Sequence, residues 1–136
     1  MNITEEIIDQ INANNLYATI GIRVEKAGNG SAEAILEPTP SICWPFPERP
    51  HGGILSTLMD TTMAWAVVSQ LDPGYSCATI SMNTQYIFPA KGGFFLCSAR
   101  TIHRTGHLSF AQAVVNDREG QTTTAGQAVF RIIEMD

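Results

Sequence analysis

A long apolar helix that carries one charge constrains the fold of this chain more than any other feature. Residues Ile54 to Leu71 have the pattern of one helix that is apolar almost all round, and Asp60 is the only charged residue between Arg49 and Asp72. Such a helix must be enclosed by other elements. A carboxylate within it costs several kcal/mol unless it is hydrogen-bonded, paired or solvated in a cleft. Asp60 is therefore a candidate functional residue, and the plainer alternative is a carboxylate that caps a loop or pairs with a base.

The sequence His51-Gly52-Gly53 opens this helix. A helix N-terminus presents free N–H groups and the positive end of the helix dipole. Glycine lets a ligand oxygen approach that backbone closely. The position suits a carbonyl oxygen that becomes an oxyanion, whereas a simple tight turn is the plainer alternative.

Composition predicts one globular domain over residues 1–136, with 44% hydrophobic and 15% charged residues. A net charge of −5 argues against a nucleic-acid partner. Cys43, Cys77 and Cys97 have no metal-ligand spacing, which favours buried reduced thiols and a cytosolic protein. The acidic N-terminus is unlike a signal peptide, and no apolar stretch is long enough to span a membrane. We therefore expect a cytoplasmic protein that has no membrane partner.

Residue spacing in the first half predicts a helix, a hairpin and a loop. Isoleucines at helical spacing predict a helix over residues 3–14, with Asn2 and Glu5 as a capping box. Apolar residues at every second position around residues 20–24 and 32–36 predict two strands joined by the turn Gly28-Asn29-Gly30. Five of the seven prolines lie within residues 38–50, which predicts a rigid loop without helix.

The second half reads as four strands joined by short turns, which predicts antiparallel pairing. These strands run from Cys77 to Phe88, Gly93 to Arg104, Leu108 to Asp117 and Gln121 to Ile133. One apolar helix inserted between two strands and these four must be enclosed by the curved face of the sheet. The predicted class is therefore α+β, with an antiparallel sheet wrapped around one long central helix.

A family resemblance supports this layout. The segment from His51 to Thr61 resembles the signature of hotdog-fold acyl-CoA thioesterases of the phenylacetic-acid-degradation type, and the segment from Thr79 to Ala90 resembles their following strand. The turns at 104–106 and 117–120 are comparable, and the resemblance covers roughly residues 20–133. It implies the hotdog fold and hydrolysis of an acyl- or aryl-CoA thioester to a free acid and coenzyme A.

The resemblance also implies roles for individual residues. The family's catalytic acid maps onto Asp60, as nucleophile or general base, and its backbone donor maps onto Gly52. The hydroxyl that positions water maps onto Thr79, and His51 has a supporting role. The leaving group is expected to be coenzyme A or a carrier-bound pantetheine, and coenzyme A enters only as part of the substrate, so no cofactor is expected. No metal is expected either, because three scattered histidines without carboxylate spacing do not make a metal site.

Further residues are candidates for binding the substrate. Gly53 and Thr61 belong to the same signature. Four basic residues near strand ends are plausible phosphate contacts, although each alone is more often a solvated surface charge, namely Lys91, Arg100, Arg104 and His107. The acyl chain is not indicated, because the apolar residues near the site could equally fill a core.

One departure from the family keeps other functions open. The family often has an asparagine six residues before the histidine, and Pro45 stands there in this chain. Since proline has no side-chain donor, a non-catalytic acyl-CoA-binding protein is an alternative. A hotdog enoyl-CoA hydratase or dehydratase, which would need a His/acid pair, is another.

The spacing of Gly52 and Asp60 predicts self-association. Eight residues along one helix separate these groups by about 12 Å. A base or nucleophile must lie within about 3 Å of a target that also contacts the oxyanion donor. Two antiparallel helices related by a two-fold axis would bring Gly52 of one chain to Asp60 of the other. We therefore expect a dimer or tetramer with shared active sites.

Overall fold

The computed structural model describes residues 2–136, which form four helices and six strands. In chain order these are α1 (Glu5–Asn12), α2 (Asn15–Ile20), β1 (Ile22–Gly28), β2 (Ser31–Leu36), α3 (Pro40–Cys43), α4 (Gly52–Val68), β3 (Tyr75–Tyr86), β4 (Phe95–Thr105), β5 (Leu108–Asp117) and β6 (Thr122–Glu134). Within the described residues, no helix is both long and apolar enough to cross a membrane.

The six strands form one antiparallel sheet in the order β1-β2-β4-β5-β6-β3, which wraps around α4. The inner face of the sheet carries small buried residues such as Ala34, Ala113 and Ala128, so that the helix can approach closely. In return α4 buries large side chains, among them Leu58 and Met63. This arrangement is the hotdog fold, and the predicted fold class is confirmed.

The N-terminal prediction was wrong in its boundaries. The helix begins at Glu5, because the Thr4 hydroxyl and not Asn2 accepts a hydrogen bond from the first turn. Instead of continuing to residue 14, it ends at Asn12, and the side chain of Asn14 accepts a hydrogen bond from Leu16 N–H at 2.8 Å to cap α2. An asparagine side chain can form hydrogen bonds with the backbone that compete with those of the helix, so asparagine is disfavoured within helices and favoured at N-caps. This preference explains the interruption.

The proline-rich segment also differs from its prediction. It contains the one-turn helix α3, which begins with Pro40. Proline is tolerated at the first position of a helix, since that N–H has no intrahelical acceptor. The hairpin turn, in contrast, is confirmed: β1 and β2 are joined through Asn29 and Gly30, whose φ angles are 52° and 81°.

The two edges of the sheet differ. At β1 the side-chain amide of Asn12 pairs with the backbone of Val24, accepting from its N–H and donating to its carbonyl, both at 2.8 Å. The other edge is β3, and in the described part of the chain no strand pairs with its outer side. Ile80, near the middle of β3, is 54% exposed. One edge is thus covered by the chain itself and the other is open.

Candidate functional site

One face of α4 lies against β3. Gly52, Ser56, Asp60 and Ala64 are four residues apart, a spacing that places them on one side of a helix. Their hydrogen-bonding partners on the inner face of β3 follow in the reverse order, namely Tyr86 for Gly52 and Ser56, Thr84 for Ser56, Thr79 for Asp60 and Cys77 for Ala64. The strand therefore runs antiparallel to the helix, and the seam between them joins the two main predicted site groups.

Asp60 is held by a hydroxyl and has no counter-ion among residues 2–136. The Thr79 hydroxyl donates a hydrogen bond to Asp60 Oδ1 at 2.6 Å. Asp60 is half-buried, and the ion pairs among residues 2–136 join other side chains. The structure thus brings Thr79 to the carboxylate. It does not show the plainer alternative, in which Asp60 pairs with a basic side chain.

The negative charge of Asp60 affects a neighbouring thiol. Burial raises the pKa of Cys77 to about 11, and the carboxylate of Asp60 adds to this effect. A thiolate in this place would be poorly solvated and repelled by the aspartate. Cys77 is therefore a protonated, weakly reactive neighbour of the carboxylate.

The start of α4 is capped by a histidine side chain. His51 Nδ1 accepts a hydrogen bond from Gly53 N–H at 2.9 Å, and a Cβ on Gly53 would lie only 3.0 Å from the same nitrogen. The N–H of Gly52 has no acceptor among the described residues, as expected for the first residue of a helix. The helix thus presents one free backbone donor at Gly52.

Tyr86 is the residue that sequence reasoning missed. Its hydroxyl lies 3.0 Å from the Gly52 carbonyl oxygen and 2.6 Å from Ser56 Oγ, and its ring lies 3.1 Å from where a Cβ on Gly52 would be. Alternation counted along the strand from Thr79 would place Tyr86 on the opposite face. An irregularity in the pairing between Thr79 and Ser81 shifts that alternation by one residue and turns Tyr86 towards the helix.

The structure does not bring the predicted phosphate contacts together. Lys91 precedes β4, while Arg104 and His107 lie at its far end, and eleven residues of strand span about 33 Å between the two ends. Arg100 lies on the outer face of the sheet, where its guanidinium binds the side-chain carbonyl of Gln112 at 2.6 and 2.8 Å. It lines an outer groove of about 1160 Å³, on the side of the sheet away from α4. One chain therefore cannot place all four on one phosphate group.

Two other predictions concern the helix and the loop before it. Thr61 is only 8% exposed, so little of its side chain is accessible in this chain. Pro45 is exposed in the loop between α3 and α4. The neighbouring Trp44 has an indole N–H, but this group is enclosed and has no acceptor among the described residues. It does not supply the donor that is missing at Pro45.

One protein family and several solved structures are similar to this chain. The sequence profile of the "Thioesterase superfamily" matches residues 50–124. No curated protein matches the chain.

Several solved structures share the fold. A thioesterase from Haemophilus influenzae is 20% identical with a TM-score of 0.89, over 99% of this chain and 94% of that one. A thioesterase family protein from Silicibacter pomeroyi is 21% identical with a TM-score of 0.84, over 93% and 94% of the two chains. A putative thioesterase related to phenylacetic acid degradation, from Ralstonia eutropha, is 23% identical with a TM-score of 0.76, over 85% and 88%. At these identities the structures show a common fold.

The profile match spans more than half of the sequence, and it includes the capped start of α4, Asp60, Thr79 and Tyr86. The chain belongs to the thioesterase superfamily.

Proposed function

We propose that this protein hydrolyses acyl-CoA thioesters to a free acid and coenzyme A. The observation that supports this most directly is the Asp60 carboxylate, which has no counter-ion among the described residues and accepts a hydrogen bond from Thr79 at 2.6 Å. Membership of the thioesterase superfamily supports the reaction type. The free N–H of Gly52 supplies a donor for the carbonyl oxygen.

In the proposed mechanism each group has one task. The Gly52 N–H donates a hydrogen bond to the thioester carbonyl oxygen and stabilises its negative charge in the tetrahedral intermediate. Asp60 attacks the carbonyl carbon, or removes a proton from a water molecule that attacks it, and Thr79 orients the carboxylate and the water. The C–S bond then breaks, and the thiolate of coenzyme A takes up the proton that came from the attacking water. If Asp60 itself attacks, a water molecule then hydrolyses the acyl anhydride on Asp60, which releases the free acid, restores the carboxylate and supplies the proton for the thiolate. His51 keeps the helix start in place. This scheme needs no cofactor.

The proposed site needs two chains. Gly52 and Asp60 belong to one helix of 17 residues and are about 12 Å apart along it. The open edge at β3, with its exposed Ile80, supports association of two copies at the seam that carries Asp60. Two-fold symmetry would then place Gly52 of one copy against Asp60 of the other. A tetramer would be two such dimers.

Of the two alternatives, one has specific support and the other does not. Neither Pro45 nor the enclosed Trp44 offers a side-chain donor at the place of the family asparagine, which favours a binding protein without turnover. A hydratase or dehydratase would use a histidine with an acid, but His51 Nδ1 is occupied by Gly53. The cysteines are all free thiols, which supports the proposed cytoplasmic location.

The test is release of free thiol from a panel of aryl-, short-chain and long-chain acyl-CoA substrates. We expect turnover by the wild type, and a fall in kcat of roughly 10²–10⁴ for Asp60→Asn, the range for a positioned acid–base group. Asp72→Asn is the matched control, because it removes an exposed carboxylate shortly after the end of α4.

The other outcomes separate the alternatives. Binding without thiol release would identify a binding protein, and a change in enoyl absorbance without thiol release would identify a hydratase. Full turnover by a folded Asp60→Asn variant would refute the role of Asp60.

A further inference from the structure

The peptide unit between Gly52 and Gly53 is held at both ends by side chains. Its N–H donates to His51 Nδ1 at 2.9 Å, and its carbonyl oxygen accepts from the Tyr86 hydroxyl at 3.0 Å. In the preceding peptide unit, the His51 carbonyl accepts from Ile54 N–H at 2.9 Å. Three of the four polar groups in these two peptide units are thus bonded. The fourth, Gly52 N–H, is the donor that the proposed reaction uses.

Two consecutive glycines do not by themselves hold the Gly52 N–H in one orientation. Glycine has the widest choice of backbone angles and loses the most conformational freedom on ordering. The first turn of a helix also lacks intrahelical partners for its N–H groups. Contacts from outside the helix must therefore supply the order at this place.

Tyr86 supplies one of these contacts without belonging to the core. It remains 55% exposed, although its ring packs on Gly52 and its hydroxyl reaches the Gly52 carbonyl. Ser56 Oγ lies 2.6 Å from the same hydroxyl and can donate to it while the tyrosine donates to Gly52. A tyrosine that had only to fill space would not need these two polar partners.

We propose that Tyr86 is a positioning residue that fixes the Gly52–Gly53 peptide and thereby aims the Gly52 N–H at the substrate carbonyl. This inference rests on the proposed thioester hydrolysis. Tyr86 touches no reacting atom and acts through the backbone. Its effect should appear in the transition state, where the oxyanion develops, and not in the binding of the substrate.

The kinetic test is Tyr86→Phe, made in the wild type and in a Gly52→Pro background. Phenylalanine keeps the ring against Gly52 and removes only the hydroxyl. We expect kcat to fall about tenfold, the equivalent of one hydrogen bond, with KM and Tm unchanged. In the Gly52→Pro background, which has no N–H to aim and whose Cβ also crowds the Tyr86 ring, the same change should have no further effect on kcat. Tyr75→Phe, at the other end of β3, is the matched control.

A second measurement is independent of turnover. Amide hydrogen exchange at Gly53 reports on the same peptide unit in the protein without substrate. We expect exchange to be about tenfold faster in Tyr86→Phe than in the wild type or in Tyr75→Phe, because one of two side-chain contacts is lost.

The outcomes separate this inference from the proposed function. An active wild type with an unchanged kcat in Tyr86→Phe would overturn the positioning role, and so would an equal loss in both backgrounds or unchanged exchange at Gly53. A wild type that hydrolyses no thioester would overturn the proposed function. Exchange at Gly53 would then still decide whether Tyr86 fixes the peptide.

Discussion

The charge of Asp60 can be measured through its neighbour Cys77. The carboxylate is the second cause, after burial, of the raised pKa of this thiol. Replacing Asp60 by asparagine removes the negative charge that disfavours the thiolate, so the pKa of Cys77 should fall from about 11 towards its ordinary value of 9.0. The pH dependence of alkylation at Cys77, followed by peptide mass spectrometry, measures this shift.

The control for this experiment is Asp72→Asn, which should leave the alkylation profile unchanged. Cys43 and Cys97 are buried and react slowly, so the label reports on Cys77. An identical profile in Asp60→Asn and the wild type would mean that Asp60 carries no charge or lies further from the thiol.

Individual site residues were predictable only where the sequence marks them. Asp60 is conspicuous because an isolated charge in an apolar helix is costly, and Gly52 because a glycine at a helix start lets a ligand oxygen approach free N–H groups closely. Tyr86 was not predictable, since its direction depends on an irregular strand pairing. The four candidate phosphate contacts remain predictions, and their separation in the fold was not predictable, because nearness in the sequence to strand ends does not say which end of the sheet a residue occupies.

At the scale of elements, α4, β3 and β6 meet at Gly126. A Cβ at this position would lie 2.7 Å from the Asn83 carbonyl oxygen and 3.2 Å from Met59 Cε. The backbone oxygen cannot yield easily, so Gly126→Ala should force the strands or the helix apart. We expect a loss of about 1–3 kcal/mol in the free energy of unfolding, the usual cost of overpacking.

Urea denaturation measures this loss, and Gly28→Ala is the matched control. Gly28 also lies in a strand, but a Cβ added there would have no atom within 4 Å. Equal urea midpoints for the two variants would show that the packing around Gly126 accommodates an extra methyl group.

Long elements were predictable and their ends were not. The enclosed helix and four long strands follow from hydrophobic periodicity, and β5 has the predicted bounds, Leu108–Asp117. The N-terminal helix was misjudged because isoleucine spacing continued past a residue, Asn12, that ends the helix and binds an edge strand with its side chain. Such a contact depends on the folded sheet and leaves no local signal.

At the scale of the whole molecule, the proposal of shared sites predicts that two inactive variants restore each other. An Asp60→Ala chain retains Gly52, and a Gly52→Pro chain retains Asp60. In a mixed dimer one site receives both intact groups and the other receives both lesions. Random mixing makes about half of the dimers mixed, so roughly a quarter of the wild-type activity should return.

Exchange of subunits must be shown separately, for example by mass spectrometry of the mixture. Asp60→Ala mixed with itself under the same conditions is the control, because it should gain nothing. If subunits exchange and no activity returns, both groups act within one chain and the sites are not shared.

The contact between Asn12 and Val24 has a consequence for how far assembly can go. A sheet with one unpaired edge strand stops growing through its edges when two copies have joined, because the pair has no unpaired edge strand left. A sheet with two unpaired edge strands can add copies at both edges without limit and form a fibre. Asn12 blocks the backbone groups of Val24 with a single amide. We therefore expect that, in the proposed assembly, this contact keeps copies from joining through β1 and so limits the size of the particle.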